Sequence, residues 1–146
     1  MRITTRGRYA LRATLALAKM EKNGEPVSIN SLAEQENISA VFLEQIFFKL
    51  RKAGIVSSIR GPGGGFNFAR PLDKIPVKQI LDAAGEDLEL TFCDKHSGKC
   101  ERVGECLCHN VWMDVTEMVQ NYFAGITLAS ILEKYGNDAV SGKKRG

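Results

Sequence analysis

Residues 39–54, SAVFLEQIFFKLRKAG, run directly into residues 55–70, IVSSIRGPGGGFNFAR, and the change of pattern at that junction decides the architecture. Ser39 can cap a helix that runs to Ala53, with Gly54 as the residue beyond its end. Within this helix Leu43, Ile46, Phe47 and Leu50 follow the i, i+3, i+4, i+7 rule and must face a core. That turns Val41, Gln45, Phe48 and Lys52 outward, flanked by Glu44 and Lys49, and an outward Val and Phe are odd on a solvated helix. Residues 55–60 and 66–70 then read as two short strands around the tip Gly61 to Gly65. The tip lacks the Lys-Ser/Thr ending and the strand-to-helix context of a phosphate cradle, so it is a tight turn. Upstream, a short helix fits Asn30 or Ser31 to Glu36 and is followed by a turn over 36–38. Helix, turn, helix and hairpin together make a winged helix-turn-helix, in which the helix before the hairpin enters the major groove of DNA.

Working outward, Thr4 or Thr5 can cap a first helix to about Lys22, where Asn23-Gly24 breaks the pattern. After Pro71, residues 77–85 read as a short helix, followed by a cysteine-bearing loop and a long helix from about Asn110 to Ala124. On that long helix Val111, Val115, Met118 and Tyr122 form one stripe, which Trp112, Val119 and Phe123 widen to nearly half the surface. One small domain hardly needs so much apolar surface, so the helix is expected to form the interface of a homodimer. A final helix from Thr127 to Tyr135, closed by Gly136, precedes a polar tail. The expected fold is mainly α with a small β hairpin. Residues 1–76 form the DNA-binding domain, 77–136 the cysteine loop and dimerisation helices, and 137–146 a disordered tail.

Composition sets the outer limits. The chain has 146 residues and is 44% hydrophobic, enough for one moderate core and too short for a large multidomain enzyme. The net charge of +3 hides an asymmetry. Residues 1–70 carry 11 Lys/Arg against 5 Asp/Glu, whereas residues 71–146 carry 9 against 12. A basic N-terminal half suits a polyanionic partner. The N-terminus lacks the apolar run of a signal peptide and no stretch approaches a membrane span, so a cytoplasmic protein without a membrane partner is expected. No Ser-His-Asp or paired-carboxylate constellation suggests an enzyme.

In a reducing compartment, four cysteines between residues 93 and 108 point to metal or redox chemistry rather than structural disulfides. Cys93, Cys100 and Cys106 lie seven and six positions apart, with Gly98 and Gly104 freeing the backbone to wrap an ion. Zinc knuckles normally pair cysteines two to four residues apart, so the wider spread suits an iron-sulfur cluster better, with zinc and a thiol redox switch as the other readings. His96 reads as a solvent-facing loop residue, while Cys108 and His109 both offer a donor for a fourth position.

The opening MRITTRGRYA (1–10), the run LEQIF (43–47), the wing VSSIRGPGGG (56–65) and the three-cysteine loop together resemble the IscR-type family of iron-sulfur cluster regulators. The resemblance covers residues 1 to about 136. It implies promoter binding by a dimer that crosses through the long helix, and a 2Fe-2S cluster held by Cys93, Cys100, Cys106 and His109. Cys108 is an alternative ligand. Nitric-oxide-sensing repressors of the same family build a 4Fe-4S site with an acidic residue near the partner's N-terminus, where this chain has Arg8. A zinc-stabilised DNA-binding protein without sensing is the competing class. Cluster-assembly scaffold proteins would be further partners. On double-stranded DNA, Glu44 and Gln45 suit base edges, and Val41 or Phe48 suits thymine methyls. Ser39 and Gly63 lie against the duplex and Arg60 probes the minor groove. Arg2, Arg6, Lys49, Arg51 and Lys52 neutralise phosphates.

Overall fold

A computed structural model describes residues 2–91, 101–102 and 104–140. Three helices come first: α1 (Thr5–Met20), α2 (Ile29–Glu36) and α3 (Ala40–Lys52). The hairpin strands β1 (Val56–Ile59) and β2 (Gly65–Phe68) follow, then a 3-10 turn over Leu72–Lys74. Helices α4 (Val77–Ala83), α5 (Leu107–Gly125) and α6 (Leu128–Val140) complete the chain. The fold is mainly helical with one two-stranded antiparallel sheet, as the sequence predicts.

Local chemistry fixes most boundaries. Thr4 caps α1 by accepting the Gly7 amide, and the helix ends at Met20, short of Lys22, because Glu21 turns to extended backbone. There the Glu21 carboxylate accepts the amide of Phe68 and ties α1 to the hairpin. Helix α2 starts at Ile29, one or two residues before the expected Asn30 or Ser31, because Ser28 caps it with its Oγ accepting the Ser31 amide at 3.1 Å. Ser39 caps α3 and Gly54 follows its end with φ of 74°, a conformation cheap only for glycine. The strands pair from Val56 with Phe68 to Ile59 with Gly65; β1 is one residue shorter at each end than the sequence suggests, and β2 takes in Gly65 from the tip and ends two residues earlier. Helix α5 starts at Leu107, a turn before Asn110, and α6 continues through Gly136 to Val140.

The main core joins α1, through Ala10, Ala13 and Leu17, to α3, through Leu43, Ile46, Phe47 and Leu50, with Ile55, Val56, Ile75, Ile80 and Leu128 closing it. Each large side chain buried here contributes about 1.5–3 kcal/mol relative to exposure. Phe47 meets the Phe66 ring at 5.0 Å, fastening α3 to β2. A smaller cluster of Val77, Leu81 and Leu88 receives Phe123, Ile126 and Ile131. The chain between α5 and α6 is held by a bridge between Pro76 and Thr127 and by the Val77 amide donating to the Ile126 carbonyl. Among the described residues, much of α5 has nothing packed over it.

Candidate nucleic-acid interface and metal centre

Because Leu43, Ile46, Phe47 and Leu50 are fixed in the core, the opposite face of α3 is displayed as the sequence requires. Glu44, Gln45 and Lys52 are exposed and Lys49 is half-buried. Val41 is 65% exposed and Phe48 50% exposed. Val41, Glu44, Gln45, Phe48 and Lys49 line one shallow depression. Arg51 and Lys52 reach back a turn so that their cations lie 5.5 and 5.3 Å from the centre of the Phe48 ring. Arg51 also donates to the Ser58 hydroxyl on β1, linking helix to wing. Ser39 sits at the start of this face, its Oγ occupied by the Phe42 amide.

The wing tip carries Arg60 and Gly63 in exposed positions. Its shape depends on glycine. A Cβ on Gly64 would stand 2.2 Å from the Ile59 carbonyl oxygen, and one on Gly65 would stand 2.2 Å from the Val27 carbonyl oxygen. Phe66 and Val27 exchange two backbone hydrogen bonds at 2.8 Å, so the wing is docked against the entry to α2. Ahead of α1 Arg2 is exposed, and in its first turn Arg6 is half-buried. Among the described residues the buried Arg6 Nε has no hydrogen-bond partner, and the guanidinium lies beside Gly85.

Sequence reasoning missed the group that holds the start of α1 in place. The Glu86 carboxylate, 9% exposed, accepts the Gly7 amide at 3.0 Å, the Thr4 amide at 3.2 Å and the Thr4 hydroxyl. An anion at a helix N-terminus is favoured by the unpaired amides there and by the helix dipole. Gly7 is what admits it, since a Cβ would lie 2.5 Å from the Glu86 side chain. A glycine in the first turn, where alanine is the better helix former, was the available signal.

Of the metal-site residues, Cys93 and Cys100 fall outside the described residues, as does His96. Cys106 occupies the N-cap of α5. The amides of His109 and then Cys108, helped by the Cys108 side chain and Arg102, hold the Cys106 thiol below its ordinary pKa. Cys108 is exposed. His109, in the first turn, is 5% exposed, and its Nδ1 is buried without a hydrogen-bond partner. A buried ring nitrogen with no partner is costly unless something outside the described residues meets it. Among the described residues, no three metal-binding side chains converge. The chain entering the loop is anchored to α5, for the Leu90 amide donates to the Thr116 hydroxyl, which itself donates to the Trp112 carbonyl. Leu107, Val111, Met118 and Tyr122 stand exposed along α5. No helix among the described residues is long and apolar enough to cross a membrane.

Comparison with known proteins fits this arrangement. Residues 3–134 match the family Rrf2, described as an iron-dependent transcriptional regulator. The HTH-type transcriptional regulator IscR of Klebsiella pneumoniae (strain 342) is 37% identical over 99% of this chain and 87% of its own length. The solved structure of T. potens IscR superposes with a TM-score of 0.73 at 31% identity, covering 100% of this chain and 94% of that one. CymR, the global cysteine regulator of B. subtilis, gives a TM-score of 0.76 at 28% identity, covering 92% and 98%. These relatives are named as transcriptional regulators and not as enzymes. With the winged helix-turn-helix, the outward face of α3 and the match across nearly the whole chain, the protein belongs to the Rrf2 family of transcriptional regulators, alongside IscR.

Proposed function

We propose that this regulator binds promoter DNA as a cytoplasmic homodimer in a manner set by an iron-sulfur cluster, and that its targets include iron-sulfur cluster assembly genes. The observation that carries the metal half of this reading is His109, whose buried Nδ1 has no hydrogen-bond partner among the described residues, one turn after Cys106. Cys93, Cys100, Cys106 and His109 would hold a 2Fe-2S cluster, which supplies a group whose presence follows iron and redox status. A thiolate is the metal-binding form of cysteine, and the start of α5 favours it at Cys106. Cys108, exposed beside it, offers an alternative ligand, and a 4Fe-4S site read by nitric oxide is the alternative sensing mode.

The remaining steps belong to the protein. Helix α3 presents Glu44 and Gln45 for hydrogen bonding to base edges, with Gln suited to adenine and Glu to the cytosine amino group. Arg60 at the wing reaches the minor groove, while Arg2, Arg6, Lys49, Arg51 and Lys52 meet phosphates, with Ser39 and Gly63 packed against the backbone. The exposed α5 stripe pairs with its copy, placing residues 1–76 of each protomer as one reading head and residues 77–136 as the sensing and dimerising unit. Because the segment before the loop is tied both to α1, through Glu86, and to α5, through Leu90 and Thr116, a change at the loop is transmitted to the reading heads.

Footprinting anaerobically purified protein on promoter fragments, with the cluster intact and after its removal, tests this reading. The expected outcome is occupancy that differs between the two states on at least one promoter. Identical footprints everywhere would leave a DNA-binding protein without sensing.

A further inference from the structure

The face of α3 carries more than its polar readers. Val41 and Phe48 are seven residues apart, nearly two full turns, so they lie on one line along the helix about 10 Å from each other. Neither is needed by the core, which Leu43, Ile46, Phe47 and Leu50 fill, and both stand at the two ends of the depression whose centre is Glu44 and Gln45. The pattern is apolar, polar, apolar.

An apolar protein partner does not suit this surface. It would have to desolvate the Glu44 carboxylate and also the Arg51 and Lys52 cations that flank the Phe48 ring, without offering each a partner. The major groove suits it better. There the phosphates meet the two cations, and the thymine C5-methyl gives a base edge an apolar feature to set against Val or Phe. With bases stacked about 3.4 Å apart, 10 Å spans about three steps. Resting on the reading of α3 as the major-groove helix, we propose that Val41 and Phe48 are specificity-determining residues that each receive a thymine methyl, the two thymines lying about three base steps apart in each half-site with the pairs read by Glu44 and Gln45 between them.

The test begins with sites selected by the purified, cluster-loaded protein from a pool of random-sequence duplexes. Each thymine in the enriched half-site is then replaced singly by deoxyuridine, which keeps its pairing and loses only the methyl. A methyl removed from water is worth about fourfold in affinity, so two positions about three steps apart should each lose about fourfold. Val41→Ser should make one of these substitutions harmless and Phe48→Ser the other. Both residues are exposed, so neither change should endanger folding. Enrichment of a defined site that tolerates uracil at every position would overturn the methyl assignment alone. A pool that yields no enriched sequence would remove the major-groove role of α3 and this inference with it.

Discussion

Gly7 and Glu86 give a prediction in which the sign of an effect reverses. In the native chain the Glu86 carboxylate accepts two amides and a hydroxyl at the start of α1, in a setting 9% exposed. Hydrogen bonds to a charged group are worth about 1.5–3 kcal/mol each, but removal of the side chain also relieves its desolvation, so Glu86→Ala should cost about 3 kcal/mol in all. At about 2–4 °C per kcal/mol for a chain of this size, Tm should fall by roughly 6–12 °C. Gly7→Ala adds a methyl 2.5 Å from the same carboxylate. A flexible side chain would swing away cheaply, but this one is held by its three donors, so overpacking should cost about 1–2 kcal/mol. In the Glu86→Ala background the three atoms nearest the methyl are gone, and the helix preference for alanine over glycine, up to about 1 kcal/mol, should make the same substitution stabilising. Urea denaturation followed by far-ultraviolet circular dichroism on the four proteins, cluster-free and at one fixed concentration, measures the cycle. Additive effects, or a Glu86→Ala variant as stable as the parent, would refute the account of Glu86 as the anchor of α1.

The other outcomes follow from the same surfaces. Gln45→Ala should change sequence preference, whereas Lys52→Ala should weaken selected and random DNA alike and flatten the salt dependence by about one unit of slope; equal losses for both variants on both DNAs would sink that division. Gly65→Ala places a Cβ 2.2 Å from backbone that cannot yield and should cost well over 2 kcal/mol of stability, while Gly63→Ala, at φ of 73° with open space around it, should cost about 1–2 kcal/mol, as thermal melts would show. Met118→Glu, on the exposed stripe of α5, should convert a dimer to a monomer in sedimentation equilibrium, and an unchanged mass would move the interface elsewhere.

The reading helix was legible because its chemistry is local. Leu43, Ile46, Phe47 and Leu50 share one helical face, Ser39 is a strong cap and Gly54 adopts the positive φ expected of a helix stop. The start of α5 was not legible, because cysteine at the N-cap carries no capping signal in a sequence; the helix begins a turn earlier and takes Cys108 and His109 into it. Gly136 looked like a stop, yet it is not among the glycines of positive φ and α6 runs through it. Helix α2 starts earlier than Asn30 because Ser28 caps it where Val27 is pinned to Phe66, a contact no local pattern announces. The partnership of Gly7 with Glu86 spans 79 positions and so is invisible to periodicity. The ligand set is a reading of Cys93, Cys100, Cys106 and His109 by resemblance, to which the structure adds a buried His109 Nδ1 with no hydrogen-bond partner among the described residues.

The most direct measurement is the visible spectrum, with iron and sulfide content, of protein purified without oxygen, repeated for His109→Ala and Cys108→Ala. The account predicts a red-brown protein with about two iron and two sulfide per chain, its spectrum lost or shifted by His109→Ala and unaltered by Cys108→Ala. A colourless protein that carries zinc, with DNA binding intact, would contradict it.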